Sequence, residues 1–122
     1  MGVKLAWPDR PVLGLIGDGA AMYGIQGLWT AARYGIAATF VVCNNAQYRI
    51  LKVCGDVMPL PEMARGNYLG MDLVEPDIDF VGLAQSLGVA AHRTADPDEL
   101  SQLVESGLAS DRPQLVEVAV AR

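Results

Sequence analysis

Basic side chains are scarce in this sequence, and they do not cluster. Lysine and arginine together number 9 against 14 aspartates and glutamates, so the net charge at neutral pH is −5. Proteins that bind nucleic acid neutralise its phosphates with grouped lysines and arginines. Nucleic acid is therefore not expected as a partner.

Cysteine and long apolar runs are also in short supply. Cys43 and Cys54 are the only cysteines, too few for a disulfide framework, and a cytoplasmic location is the default expectation. No apolar run approaches the ~20 residues that span a bilayer. Lys4, Asp9 and Arg10 near the start argue against a secretory signal, so no membrane association is expected.

Two glycine-rich phosphate-binding patterns are missing as well. The sequence contains neither the P-loop pattern nor the dinucleotide-binding fingerprint, so neither kind of nucleotide site is indicated. What the chain does contain is 52% hydrophobic and 19% charged residues over 122 positions. That composition and length predict one domain, residues 1–122, with a substantial core and strands buried on both faces.

Apolar periodicity predicts alternating strands and helices. Strands are expected at 12–16, 38–43, 89–93 and 115–120, and helices from near Ala20 or Gly24 to 34, at 48–53, at 79–87, and from Asp96-Pro97 to 108. This order predicts an α/β fold, with a mostly parallel sheet and helices on both faces. Trp29 lies on the apolar side of the first long helix and is expected in the core. Asp79 and Asp96 are expected to cap the last two helices.

Two further segments carry expectations about the whole protein. Residues 2–6 look like the tail of a helix stopped at Trp7-Pro8, so we expect the chain to begin inside an element of a longer protein. Residues 55–78 are expected to be irregular, because prolines and glycines interrupt any long element there. The breakers in that segment are Pro59, Pro61, Gly66, Gly70 and Pro76. A lid is one interpretation of so long a connection.

The most informative feature is a pair of polar motifs at the ends of two predicted strands. Gly17-Asp18-Gly19 follows the first strand and Asn44-Asn45 follows the second, with positions 20–43, or 24 residues, between them. Ligands bind at the carboxyl ends of strands in open parallel sheets. Each motif alone is an ordinary turn. Together, their oxygens suit a Mg²⁺ ion that keeps part of its shell for phosphate oxygens.

A diphosphate at this position would need positive charge, and the 17–19 turn has no lysine or arginine. A metal held by Asp18, by the side-chain oxygen of Asn45 and by a nearby backbone carbonyl would supply that charge. The glycines are expected to allow positive φ and close approach of the backbone. The helix that starts near Ala20 would offer free N–H groups.

These motifs, with Leu28-Trp29-Thr30-Ala31-Ala32 and Ala46-Gln47-Tyr48 beside them, resemble the C-terminal cofactor domain of a family of thiamine diphosphate (ThDP) enzymes. That family includes benzoylformate decarboxylase and acetolactate synthase, and the resemblance covers nearly the whole chain, most strongly over 12–52. It implies a site for thiamine diphosphate and Mg²⁺. The implied cofactor-binding residues are Gly17, Asp18, Gly19, Ala20, Tyr23, Asn45, Gln47 and Tyr48. The implied metal ligands are Asp18, Asn45 and the backbone carbonyl of Gln47, while Gly19 and Ala20 would offer amides to the diphosphate.

The resemblance also implies what would complete the site. In the family, a pyrimidine-binding domain of another subunit supplies a glutamate that activates the cofactor, so this chain, as a fragment or a separate subunit, is not expected to be active alone. The complete enzyme would be a homo-oligomer that decarboxylates or ligates a small 2-keto acid. Leu51 and Cys54 are expected to face that substrate, and the small Cys54 argues against benzoylformate itself.

A second interpretation comes from a different functional class. A truncated domain exposes apolar surfaces that the rest of an enzyme would cover, and such surfaces favour association. The chain would then be a non-catalytic, self-associating binding or assembly module.

Overall fold

A computed structural model describes residues 1–58 and 60–122. Within these ranges the strands are β1 (Leu13–Gly17), β2 (Thr39–Asn44), β3 (Ala90–Thr94) and β4 (Gln114–Ala119). The helices are α1 (Gly2–Ala6), α2 (Asp18–Ala21), α3 (Gly27–Arg33), α4 (Arg49–Val57), α5 (Phe80–Ser86) and α6 (Pro97–Ala109), with a 3₁₀ turn at Met63–Arg65. Every predicted strand is present, displaced by a single residue.

The described strands form one parallel sheet in the order β1-β2-β4-β3. Parallel neighbours require crossover connections, and helices supply each of them here. All strands therefore point the same way, and their carboxyl ends lie along one edge of the sheet, called the carboxyl edge below. The prediction of an α/β fold with a mostly parallel sheet is confirmed.

Helices cover both faces of the sheet. On one face, α3 and α5 pack over β2 and β4 around Phe80 and Leu115, which are 1% and 0% exposed. On the other face, α6 packs over the same strands around Val116, which is 0% exposed. The two central strands are buried on both sides, which accounts for their nearly continuous apolar sequences.

The predicted helix from near Ala20 to residue 34 is two shorter helices, α2 and α3, joined by turns. In the joint, the Gly24 N–H donates to the Ala21 carbonyl at 3.1 Å, a tighter spacing than that of an α-helix. Glycine lowers helix propensity by about 1 kcal/mol relative to alanine. Gly24 therefore marks the place where the helical pattern breaks.

Trp29 is not in the core, contrary to the prediction from periodicity. Its side chain is 54% exposed, whereas Leu28 is 5% and Ala31 is 0% exposed. Because the joint around Gly24 is not helical, Ile25 is out of phase with α3, and the buried face of α3 is centred on residues 28 and 31. Trp29 lies about 100° further around the helix.

This assignment predicts unequal costs for two adjacent substitutions. We expect Leu28→Ala to lower the free energy of unfolding by about 2–5 kcal/mol, because it leaves a cavity in the core. Trp29→Ala is expected to change it by only about 0.5 kcal/mol, as for surface positions generally. Urea unfolding of both variants measures the difference. Equal losses in the free energy of unfolding would show that Trp29 contributes to the core as Leu28 does.

The predicted irregular segment 55–78 begins later than expected, because α4 continues to Val57. The sequence predicts Gly55 as the end of this helix, but Gly55 lies inside it and is buried. A Cβ at this position would collide with the sulfur of Met63, so the glycine permits α4 to pack against the 3₁₀ turn. Residues 60–78 otherwise form turns, and Pro59 lies outside the described residues.

Asp79 and Asp96 occupy the N-cap positions of α5 and α6, as predicted, but they behave differently. Asp96 Oδ1 accepts N–H bonds from Asp98 at 2.8 Å and Glu99 at 3.3 Å, a side-chain cap. Asp79 makes no such bond. It accepts a bond from Arg93 Nη2 at 3.1 Å instead, so the prediction of a side-chain cap at Asp79 was wrong.

The helices of the described ranges are short. The longest, α6, has 13 residues. None of those described has both the length and the apolar character that crossing a bilayer requires.

Candidate functional site

The carboxyl ends of β1 and β2 bring the two polar motifs together. Gly17, the last residue of β1, pairs in register with Cys43 of β2, so the chain leaves both strands at the same level. Asp18 then opens α2, while Asn45 enters the turn of residues 44–47, called the Asn turn below. The motifs are neighbours at the carboxyl edge, as the strand-end argument predicts.

Asp18 is the centre of this arrangement. The residue is 3% exposed, and its Oδ2 accepts N–H bonds from Asn45 at 3.2 Å and Gln47 at 3.3 Å. Its Oδ1 accepts the N–H of Gly19 at 2.8 Å. Among the residues that the structure describes, no basic side chain forms an ion pair with it. A buried carboxylate held only by amides is the kind of group that a cation compensates.

The Asn turn has a backbone shape that side chains maintain. Ala46 has a φ of 55°, in the left-handed region, which costs about 1–2 kcal/mol for a residue with a Cβ. Asn44 Oδ1 accepts the Ala46 N–H at 2.9 Å, and Asn45 Oδ1 accepts the Gln47 N–H at 3.2 Å. The Ala46 carbonyl accepts the N–H of Leu73 at 2.9 Å. These bonds hold the turn in a conformation that the sequence alone would disfavour.

A cavity of about 240 Å³ opens beside Asp18. Most of the sequence-predicted cofactor residues line it: Gly17, Asp18, Gly19, Ala20, Asn45, Gln47 and Tyr48. Tyr23 does not, and its side chain is 80% exposed. Leu51 and Cys54 also lie away from the cavity, exposed on α4.

Further residues line the cavity without having been predicted: Cys43, Arg49, Ile50 and Val120. Cys43 could have been found from its position, because strand alternation and register place it beside Gly17. Ile50 immediately precedes Leu51 on α4, and the substrate-facing role of Leu51 stays a prediction. Arg49 brings a basic side chain to a site where the 17–19 turn has none.

The two glycines of the first motif have different roles, and neither has the positive φ that the sequence suggested. Gly17 has φ −73° and ψ 152°, and a Cβ there would meet nothing within 4 Å. At Gly19, a Cβ would lie 2.6 Å from Cδ1 of Tyr48. Gly19 therefore lets the Tyr48 ring pack on the backbone, whereas Gly17 leaves open space beside the cavity.

The Gly19 amide is expected to bind the diphosphate, but here it has another partner. Its N–H points to the Oδ1 of its own neighbour, Asp18, so in this conformation it is not free for a phosphate oxygen. The predicted donation from Gly19 would require that bond to exchange.

A second polar group lies on the opposite side of the Asn turn. Glu117 of β4, 3% exposed, accepts bonds from Asn44 Nδ2 at 2.7 Å and from Arg93 Nε at 2.9 Å. The hydrogen bond to Glu117, together with the attraction between the charges, raises the pKa of the Arg93 guanidinium. These three side chains border another cavity, of about 310 Å³.

The segment of residues 67–73 is bonded to residues next to the site. The Tyr48 N–H donates to the Met71 carbonyl at 2.8 Å, and Lys52 pairs with Asp72 at 2.8 Å. The hydrogen bond from Lys52 is the main cause that lowers the pKa of the Asp72 carboxyl. These bonds tie the segment to the start of α4, and a lid formed by residues 55–78 stays a prediction.

The donor set at this edge fits a hard divalent cation beside a diphosphate. The described residues contain no cluster of three histidine, cysteine or acidic side chains that could hold a metal. What they offer at Asp18 and Asn45 are oxygens: one carboxylate, an amide and nearby carbonyls. Mg²⁺ is commonly bound in this way, by one or two carboxylates, with phosphates completing its shell. The open space at Gly17 leaves room for such a ligand.

The fold and the site together define an α/β domain with a ligand site at the carboxyl edge of a parallel sheet. Residues 1–118 match the family model described as "Thiamine pyrophosphate enzyme, C-terminal TPP binding domain"; thiamine pyrophosphate is another name for ThDP. The chain belongs to this family.

Its relatives are much longer than the chain itself. Benzoylformate decarboxylase of Pseudomonas aeruginosa is 40% identical over 118 residues, which are 97% of this chain and 21% of the relative. A putative acetolactate synthase large subunit of Mycobacterium tuberculosis is 36% identical over 126 residues, 98% of this chain and 24% of the relative. This chain thus spans about a fifth of the length of these curated relatives.

Solved structures give the same result for the fold. The ThDP-dependent 4-hydroxybenzoylformate decarboxylase of Rhodococcus jostii superposes with a TM-score of 0.88 at 40% identity, covering 98% of this chain and 21% of that one. Benzoylformate decarboxylase from Polynucleobacter necessarius gives 0.85 at 28% identity, with coverage of 98% and 21%. The match confirms both the predicted fold and the predicted family.

Proposed function

We propose that this chain holds the Mg²⁺ ion and the diphosphate of ThDP within the active site of a 2-keto acid decarboxylase or carboligase. The observation that carries the proposal is the buried Asp18 carboxylate beside Asn45, bound by amides and paired with no basic side chain of the described residues. Side-chain oxygens of Asp18 and Asn45 and the backbone carbonyl of Gln47 would be the metal ligands. Ala20, Gly17 and Tyr48 would border the diphosphate.

The chain's own task in such a site is to bind and to orient. When bound, ThDP supplies an electron sink for loss of CO₂ from a 2-keto acid. Asp18 and the Asn turn would fix the position of its diphosphate. The described residues at the cavity include no glutamate, so we expect the activating group to come from a pyrimidine-binding domain, in the same protein or in another subunit, and the chain alone to be inactive.

The proposed substrate class is a small 2-keto acid. Two of the relatives are named for decarboxylation of benzoylformate or its 4-hydroxy derivative, and another for acetolactate synthesis. Ile50, at the cavity, is a better candidate than Leu51 to contact the substrate.

A thermal shift experiment tests the proposal. A ligand that binds only the folded state at 100 times its Kd adds about 2.7 kcal/mol of stability, which for a chain of this size raises Tm by roughly 10 °C. We expect that shift with ThDP and Mg²⁺ together, and little with ThDP and EDTA or with Mg²⁺ alone. No shift with both ligands would refute the proposal.

A self-associating module is the second candidate, favoured by apolar side chains at the surface. Leu15 of the edge strand β1 is 70% exposed, Val57 of α4 is 78% and Leu69 is 91% exposed. Isolated surface residues of this kind need no explanation, but contiguous patches mark interaction sites. Sedimentation as a large assembly with no ligand response would favour this candidate over cofactor binding.

A further inference from the structure

We propose that Glu117 is a positioning residue whose carboxylate, acting through Asn44, fixes the Asn turn in the shape that presents Asn45 and Gln47 to Asp18. The link to metal and cofactor rests on the proposed function. The effect on the turn itself can be measured without either ligand.

Glu117 is an acidic residue in a buried position, and its burial requires an explanation. It lies on β4, one of the two central strands, opposite Val42 of β2 on one side and Arg93 of β3 on the other. Its side chain is 4% exposed. An acidic group so buried destabilises a fold unless its oxygens are hydrogen-bonded, and both oxygens are bonded here, one to Asn44 and one to Arg93.

The ion pair with Arg93 does not by itself account for this burial. The Arg93 side chain is 54% exposed and also reaches Asp79, so a surface carboxylate could satisfy it. The second bond comes from Asn44, which is half-buried and donates its Nδ2 group to the other Glu117 oxygen at 2.7 Å. Glu117 thus binds Asn44 in addition to Arg93.

A carboxylate also selects the orientation of the Asn44 amide. An ionised carboxylate only accepts hydrogen bonds, so the Asn44 NH₂ group must face Glu117 and its oxygen must face away. That oxygen then accepts the Ala46 N–H at 2.9 Å. If the amide turned over, its NH₂ would face the Ala46 N–H, and the turn would lose the bond that supports its left-handed residue.

Ala46 transmits this constraint to the site. The residues on either side of it, Asn45 and Gln47, both donate their N–H groups to Asp18 Oδ2. A relaxed φ at Ala46 would move these two amides relative to each other. The path from Glu117 to Asp18 therefore consists of hydrogen bonds of 2.7, 2.9, 3.2 and 3.3 Å.

A swap of hydrogen-bonding groups tests the inference. Asn44→Asp keeps the acceptor for the Ala46 N–H but sets two carboxylates against each other. Adding Glu117→Gln supplies a donor again, so the double variant restores every bond with the roles of the two side chains exchanged. Since a hydrogen bond to a charged group contributes about 1.5–3 kcal/mol, we expect Asn44→Asp to speed amide hydrogen exchange at Ala46 and Gln47 at least tenfold, and the double variant to reverse most of that change.

The controls separate positioning from general stability. The Val116 amide of β4 reports global unfolding, and its exchange is expected to change less than that of Ala46. Arg93→Met breaks the ion pair but leaves the bond from Asn44, so it should leave exchange at Ala46 and Gln47 near the wild-type rate. Equal acceleration at Val116 and Ala46, no acceleration in Asn44→Asp, or no recovery in the double variant would each overturn the inference.

A binding measurement on the same variants connects the turn to the site. The affinity for ThDP with Mg²⁺, measured by calorimetry, should fall about tenfold in Asn44→Asp, in the 10- to 100-fold range found for residues that orient metal ligands, and recover in the double variant. An unchanged affinity in Asn44→Asp would overturn the link to the cofactor. A wild-type chain that binds no cofactor refutes the proposed function, and hydrogen exchange alone then decides the role of Glu117.

Discussion

Asp18→Ala is expected to abolish Mg²⁺-dependent binding of ThDP. Loss of a residue that merely orients a metal ligand costs about 10- to 100-fold in affinity. Asp18 has the only carboxylate among the described residues at the cavity, so its removal should cost at least the upper end of that range. The substitution also removes the Asp18 acceptor from the N–H groups of Gly19, Asn45 and Gln47, of which Gln47 keeps its bond to Asn45 Oδ1. We therefore expect the free energy of unfolding to fall as well, by about 1–3 kcal/mol.

Calorimetric titration with ThDP at saturating Mg²⁺ measures the first effect, and urea unfolding without ligand measures the second. Asp9→Ala is the matched control, because Asp9 is an exposed acid away from the site and should change neither quantity. Binding that survives Asp18→Ala in a folded protein would remove Asp18 from the metal site. The turn would then be held together by a carboxylate with a structural role alone.

The two glycines of the first motif should respond to alanine in opposite ways. At Gly19, the new Cβ would lie 2.6 Å from the Tyr48 ring, so we expect overpacking to destabilise the fold by about 1–3 kcal/mol. At Gly17, the backbone angles suit alanine and no atom lies within 4 Å. There we expect a gain of about 0.4–1 kcal/mol, because alanine restricts the unfolded chain.

The affinity for ThDP should also change in Gly17→Ala. A methyl group at Gly17 would occupy the space left open beside the cavity, so affinity for ThDP should fall although the fold is more stable. Gly2→Ala, at a glycine of α1 that also has no neighbour within 4 Å, controls for the general effect of the substitution. If Gly17→Ala bound ThDP as tightly as the wild type, the diphosphate would lie elsewhere in the cavity.

Local sequence patterns were sufficient to predict the strands and the meeting of the two polar motifs. Apolar runs of strand length placed every strand within one residue, since β2 and β4 are buried on both faces and carry few polar residues. The meeting of Asp18 with Asn45 followed from strand direction alone, because parallel neighbours end at a common edge. No knowledge of side-chain packing was needed for either.

The features that sequence reasoning missed depend on tertiary packing. Trp29 was misplaced because the break at Gly24 shifts the phase of α3, and Gly55 was read as a helix end because Met63 is distant in sequence. The contact between Asn44 and Glu117 spans 73 positions and leaves no periodic signal. Ile50 rather than Leu51 lines the cavity because of how α4 is rotated, which its own sequence does not determine.

The hydrogen bonds of the Asn turn differ widely in the length of chain they enclose, and this sets an order for its assembly. Asp18 meets Asn45 and Gln47 across 27 and 29 positions, whereas Asn44 meets Glu117 across 73. Closing the longer loop costs about 1 kcal/mol more in chain entropy, and contacts of low sequence separation favour fast folding. We therefore expect the bonds of Asp18 to Asn45 and Gln47 to form before the bond between Asn44 and Glu117, which completes the turn when the last strand joins the sheet.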